Sequence, residues 1–309
     1  MDKLIITVGN PNGVGPEIVF KSMKNFSGIL EKFSIILEKE IYKNFFKDLK
    51  GPEYIFVENE LLTDYKYKPG VKDELSGLAS YLFLEEASKI LKSHLACGVI
   101  TAPISKELIV KAGIKDFVDH TSYFGKVFES KTFMLFYSEK LKVILATIHV
   151  PLKDVSKLLT PQVLEDTINA GISFCEKTIG KKFKIAVCGI NPHAGEDGLL
   201  GDEEKSFISI IENFKRRNFE IYGPLPADTV FYRALRGEFD LIVAAYHDQG
   251  LAPFKMLYFN EGVNVTLGLP FVRTSPDHGC AFDIAGKNIA NESSMVEAIK
   301  LALKLSGLV

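Results

Sequence analysis

Short apolar runs alternate with longer amphipathic stretches along much of the chain. Residues 4–8 (LIITV) form a nearly unbroken apolar run, which reads as a buried strand, and lead into a Gly/Pro loop and a helix from Pro16. Residues 76–93 (SGLASYLFLEEASKILKS) carry apolar side chains at helical spacing and run into a second strand-like segment, 96–101. Such alternation predicts parallel sheet covered by helices. The middle of the chain differs. Residues 131–137 (KTFMLFY) and 141–148 (LKVILATI) are strand-like and joined by Ser138-Glu139-Lys140, which predicts an antiparallel hairpin.

A helix opened by Thr160 and Pro161, a strand over 184–190, a helix near 202–215, a strand ending at His247 and another near 262–267 complete the pattern. The closing SSMVEAIKLALKLSG predicts an amphipathic helix with a serine start and a glycine stop. The expected fold class is α/β with two domains. Residues 1–117 and 267–309 would form a discontinuous first domain, and 118–266 an inserted second domain.

Lys plus Arg (37) nearly balances Asp plus Glu (39), which argues against nucleic acid or an anionic membrane as partner. No run approaches the roughly 18 apolar residues of a membrane span, and MDKLIITVG is too short for a signal peptide, so a soluble, cytoplasmic protein is expected. Cys97, Cys175, Cys188 and Cys280 are widely spaced and include no C-x-x-C pair, which disfavours a disulfide framework or a cysteine metal site.

The six histidines are more informative. His94 ends a helix beside Lys92 and Ser93 and reads as a surface residue. His149, His193 and His247 each stand at or just beyond the end of a strand-like run. Strand ends of one sheet can converge, and three imidazoles leave an open coordination position on a catalytic metal. Three separate histidines hydrogen-bonded at loop starts would account for the same spacing. His120 (in DHTS) and His278 (in DHG) lie in further polar loops suited either to substrate contact or to Asx-type turns.

GNPNGVGPE (9–17) sits between a strand and a helix, but it is neither G-x-G-x-x-G nor a P-loop. Lys255, Asn264 and Arg273 follow His247 within core-like sequence, and a lysine, an amide and an arginine that converge would suit a phosphate or carboxylate.

Eight motifs together carry a resemblance: GNPNGVGPE, TAPISK (101–106), DHTSYF (119–124), TIHVPL (147–152), NPHAGEDGLLGDEE (191–204), GPLPADT (223–229), YHDQGLAPFK (246–255) and GVNVTLGLPFVRTSPDHGCAFDIAG (262–286). In this set and order the chain resembles the 4-hydroxythreonine-4-phosphate dehydrogenase family of pyridoxal phosphate biosynthesis. The resemblance implies two α/β domains around a cleft, as in isopropylmalate dehydrogenase, and a nicotinamide cofactor, NAD or NADP, bound without the Rossmann fingerprint. It also implies one divalent metal (Zn, Mg, Co or Mn) on His149, His193 and His247, with His247 contributed across a homodimer interface. Substrate contacts carry over to His120, Thr121, Lys255, Asn264 and Arg273, and Lys255, Asp228 and Asp248 are the candidates for the catalytic base.

The implied reaction oxidises the secondary hydroxyl of 4-phosphohydroxy-L-threonine; the resulting β-keto acid, 2-amino-3-oxo-4-phosphooxybutanoate, loses carbon dioxide to give 3-amino-2-oxopropyl phosphate. Two positions depart from the family pattern: Ser122 follows His-Thr where an acid is common, and Asn10 replaces an acid in the first loop. They bring in a sister activity on 4-phospho-D-threonate or 4-phospho-D-erythronate. A metallohydrolase of a phosphorylated substrate is a more distant alternative, since three histidines can also activate water.

Overall fold

A computed structural model describes residues 3–63 and 65–308. The chain divides into two compact units, Met1–Thr132 with Leu269–Val309, and Phe133–Gly268. Relative to the expected boundaries, residues 118–132 therefore group with the first unit.

The first unit opens with β1 (Leu4–Thr7), α1 (Gly15–Met23), β2 (Phe33–Leu37), α2 (Lys39–Ile41) and β3 (Glu53–Phe56). It continues with α3 (Glu74–Lys92), β4 (Gly98–Thr101), α4 (Lys106–Lys111) and α5 (His120–Val127). The chain next builds the second unit from β5 (Phe133–Tyr137), β6 (Lys142–Leu145), α6 (Val155–Leu158), α7 (Pro161–Thr178), β7 (Lys184–Cys188) and α8 (Glu204–Arg216). That unit ends with β8 (Glu220–Leu225), α9 (Ala227–Leu235), β9 (Leu241–Ala244), α10 (His247–Tyr258) and β10 (Val263–Leu267). β11 (Val272–Pro276) and α11 (Ser293–Leu305) return the chain to the first unit.

The first unit's strands run in the order β3-β2-β1-β4-β11, all parallel. β1, β2 and β4 are buried along their whole length, which is why they read as short apolar runs without alternation. α3 starts on Asp73, whose carboxylate accepts from Ser76 N, and α7 starts on Thr160, whose hydroxyl accepts from Val163 N before Pro161. α11 begins differently from the expected serine cap. Glu292 precedes it without a capping bond, Ser293 is its first residue, and Asn291 Oδ1 accepts from Ser293 N (2.9 Å).

The second unit orders its strands β10-β5-β6-β9-β7-β8. The expected hairpin is present: β5 and β6 pair antiparallel, with Ser138 and Leu141 bonded across the turn. β10 adds antiparallel to β5, while β6, β9, β7 and β8 are mutually parallel. Phe136, Phe254, Leu145, Ile242 and Val230 lie in one buried cluster that seats α9 and α10 against this sheet.

Candidate active site

The topology of the second unit brings three distant sequence segments to one edge. β9 lies between β6 and β7, parallel to both, so the loops leaving all three strands start at the same carboxyl edge, where open α/β sheets bind ligands. His149, His193 and His247 are on those three loops. The strands are shorter than their apolar runs suggested. β6 stops at Leu145 and β9 at Ala244; His149 lies in the following loop, and His247 is the first residue of α10 instead of a strand end. Pairing persists beyond the strands through Thr147, whose N and Oγ1 both donate to Ala245 O, at 3.2 and 2.8 Å. Gln249 spans the edge: its Oε1 accepts from Ala245 N (2.7 Å) and its Nε2 donates to Gly189 O (2.8 Å).

The His149 and His247 rings lie 5.6 Å apart, centre to centre. A nitrogen about 2.1 Å from a cation puts each ring centre about 3 Å from it, so two rings on one tetrahedral ion stand about 5 Å apart. The observed separation is close to that value. His247 Nδ1 is 2.6 Å from Asp248 Oδ1, which holds the ring with Nε2 available, the usual outer partner of a ligating histidine. Among the described residues, no group of three His, Cys, Asp or Glu side chains stands ready to hold a metal.

His193 is exposed on an unusual turn. His193, Ala194, Gly195, Glu196 and Asp197 take φ values of 52, 54, 81, 45 and 55°, a left-handed run. Such a conformation costs an ordinary L-residue roughly 1–2 kcal/mol, and it persists only where the surroundings impose it. Asn191 opens the turn: its N donates to Glu204 Oε1 (2.8 Å), and its Nδ2 donates to Glu204 Oε2 (3.1 Å) and Glu203 Oε2 (2.7 Å).

In the first unit, a cavity of about 180 Å³ is lined by Thr101, Lys106, Asp119, His120, Ser275 and His278 among others. Asp119 caps α5 by accepting from Ser122 N (2.8 Å), so His120 opens the helix at the cavity wall, with the buried Thr121 next in the helix. Among the described residues, Nε2 of His120 and of His278 are buried without a hydrogen-bond partner. Burial, reinforced by the charge of Arg273, holds His120 well below the usual histidine value, so it is neutral at pH 7. Arg273, in β11, is 2% exposed and donates to Thr101 Oγ1 at 2.7 Å. Its burial brings the guanidinium down to about 10, against the pull of Asp119. A buried cation beside the neutral His120 imidazole and the Thr101 hydroxyl is a setting for an anionic oxygen ligand. Lys106 and Ser275 were not singled out as site residues, and His278 only as a loop histidine suited to substrate contact or a turn; TAPISK and SPDHG, polar stretches at the ends of β4 and β11, carried the signal.

The remaining candidates are distributed by element. Thr121, with His120 and Arg273, belongs to the first unit. Lys255 is half-buried on α10, Asn264 lies in β10 opposite Phe136, Asp248 is exposed beside His247, and Asp228 is exposed in the first turn of α9. Asn10 is fully buried: its Nδ2 donates to Ser76 Oγ (3.3 Å) and its Oδ1 accepts from Asn12 N (3.1 Å). An acid at position 10 would lose the donation to Ser76, so the neutral amide is bound up with the packing of its own loop. Ser122 is exposed on α5. His94 is exposed after α3 with φ 55°, in keeping with a surface role.

The profile of the family described as "Pyridoxal phosphate biosynthetic protein PdxA" matches residues 21–302. The 4-hydroxythreonine-4-phosphate dehydrogenase of Sulfurihydrogenibium sp. is 40% identical over 99% of this chain and 98% of its own length. The D-threonate 4-phosphate dehydrogenase of Pectobacterium atrosepticum is 36% identical over 99% and 100%. A crystal structure of 4-hydroxythreonine-4-phosphate dehydrogenase from Klebsiella pneumoniae superposes with a TM-score of 0.84 at 30% identity, over 99% of this chain and all of that one. Isocitrate dehydrogenase from Methylococcus capsulatus shares the fold at 14% identity, with a TM-score of 0.56 over 100% of this chain and 86% of that one.

Proposed function

The chain belongs to the pyridoxal phosphate biosynthetic protein PdxA family, and from that membership we propose that it is a metal-dependent, NAD(P)-linked dehydrogenase of a phosphorylated four-carbon acid. Its first substrate is 4-phosphohydroxy-L-threonine, oxidised at the secondary hydroxyl and then decarboxylated to 3-amino-2-oxopropyl phosphate, in cytoplasmic pyridoxal 5'-phosphate synthesis. The observation that carries this reading is a cavity lined by Lys106, His120 and His278, with the buried Arg273 acting on His120 from behind its wall, a cationic setting matched to an anionic substrate.

Arg273 neutralises the substrate's phosphate or carboxylate, and His120 and Thr121 orient it at the start of α5. Lys255 and Asn264 are the further residues proposed to touch substrate. His149, His193 and His247 are the metal ligands, and a bound divalent ion would lower the pKa of the substrate hydroxyl. Lys255, Asp228 and Asp248 remain the candidates to take the hydroxyl proton. Leu199, Leu200, Met256 and Phe259 are exposed on the second unit, which supports a homodimer that completes the metal site between two copies of the chain.

A second reading has its own support: relatives at similar identity are named for D-threonate 4-phosphate. The two substrates differ by amino against hydroxyl, and the exposed Ser122 offers no acid to pair an ammonium. The test is nicotinamide reduction by metal-loaded protein with NAD+ or NADP+ and 4-phosphohydroxy-L-threonine, 4-phospho-D-threonate or 4-phospho-D-erythronate in parallel. Turnover of the amino acid supports the first reading and turnover of sugar acids alone the second. Phosphate release without reduction would instead indicate a hydrolase.

A further inference from the structure

We propose that Glu204 is a positioning residue: its buried carboxylate imposes the left-handed turn that presents His193. This rests on the reading of His193 as a metal ligand. Glu204 is 4% exposed although it is charged, and it is the first residue of α8, where the helix dipole favours a carboxylate. One oxygen accepts from Asn191 N and the other from Asn191 Nδ2, so the residue that opens the turn is gripped at backbone and side chain. The same carboxylate underlies the middle of the turn. A Cβ at Gly195 would stand 2.7 Å from Glu204 Oε2, and one at Gly189 would stand 3.1 Å from Oε1. Within 193–197, Gly195 alone is buried, and it packs on this group. Backbone bonds close the turn locally, from Ala194 N to Asn191 O, Leu200 N to Gly195 O and Leu199 N to Glu196 O (3.1 Å each), while Glu204 fixes both the residue that opens it and its buried glycine, so the direction in which His193 points follows from Glu204. Gln249 extends the arrangement by tying Gly189 O to the strand end that precedes His247.

Glu204→Gln keeps an acceptor for Asn191 N but turns an amide donor toward Asn191 Nδ2. Gly195→Ala puts a methyl against the carboxylate and serves as an independent second variant. The experiment titrates full-length apoprotein with Co2+, follows the ligand-field absorption band, and checks each variant's fold by circular dichroism. Outer-partner changes typically weaken metal binding about 10- to 100-fold, and a loss of that size is expected for E204Q and G195A. In a double-mutant cycle, E204Q adds nothing further in a His193→Ala background, because its effect passes through that imidazole. If H193A weakens Co2+ binding while E204Q does not, the positioning role is overturned and the metal reading stands. An undiminished effect of E204Q in the H193A background overturns it as well. Should H193A bind Co2+ like wild type, the reading of His193 as a ligand fails and the proposal falls with it.

Discussion

Replacing Arg273 by methionine should make the protein more stable and less able to bind its substrate. The guanidinium is 2% exposed, and burial brings it down to about 10. A displacement of that size from the ordinary arginine range corresponds to about 3 kcal/mol against the charged form. The sign follows from proton binding. Between about 10 and the unfolded value the unfolded chain holds more protons than the folded one, so stability rises with pH through that window. Below it, and so at neutral pH, the whole penalty is present. Arg273→Met removes the buried charge and retains much of the volume, at the loss of the 2.7 Å charge-assisted bond to Thr101 Oγ1, worth about 1.5–3 kcal/mol. A net gain of up to about 1.5 kcal/mol is expected for the ligand-free protein. Loss of a charge-assisted contact should raise KM about 100-fold, or about 2–3 kcal/mol. The chain has no tryptophan, so urea unfolding is best followed by far-ultraviolet circular dichroism, with and without inorganic phosphate. Phosphate should stabilise wild type and not the variant. A variant less stable than wild type, or one with unchanged KM, would refute the argument.

Three further outcomes follow from the same geometry. His120 stays neutral when folded, so below about 6.5 the unfolded state binds more protons and wild-type stability falls by up to about 1.4 kcal/mol over the first pH unit; His120→Asn should lose that acid sensitivity in urea unfolding at stepped pH, and an equally steep variant would contradict the assignment. Gly250→Ala places a Cβ 2.7 Å from Leu145 Cδ2 and 3.0 Å from Val143 Cγ1, which overpacks the seam between α10 and the sheet. A loss of about 1–3 kcal/mol in unfolding free energy and weaker Co2+ binding through His247 are expected, and unaltered values for both would count against the packing. Removing bound metal with a chelator should abolish nicotinamide reduction and lower the thermal midpoint, with Zn2+ or Mn2+ restoring both; full activity in excess chelator would exclude a metal requirement.

Much of the framework was legible in the chain because burial writes itself into sequence. β1 and β4 are covered on both faces and appear as unbroken apolar runs, while α3 and α7 announce themselves by period and by Asp73, Thr160 and Pro161 at their starts. The hairpin showed in the short polar link between two apolar segments. Strand ends were less legible. The run 241–245 continues one apolar residue past β9, and nothing local tells the last strand residue from Ala245, whose N bonds to Gln249 Oε1 instead. β3 escaped notice because its EYIF is only partly buried at a sheet edge. The grouping of 118–132 with the first unit depends on contacts made by α5 far along the chain.

The same division holds for the site. The sequence by itself determined which residues could do chemistry: histidines beyond apolar runs, an arginine in core-like surroundings and eight motifs in family order. Local patterning suffices there, because residue type and spacing record what a segment must bury and what it must leave polar. Only the tertiary structure decided which of those groups meet. His149 and His247 are 98 residues apart in sequence and lie 5.6 Å apart because β9 enters between β6 and β7, a strand order no local pattern encodes. Tertiary packing likewise sets the charge states and strain: solvent exclusion, which depends on every neighbour at once, neutralises His120 and depresses Arg273, while residues 193–197 adopt a left-handed conformation their own sequence disfavours.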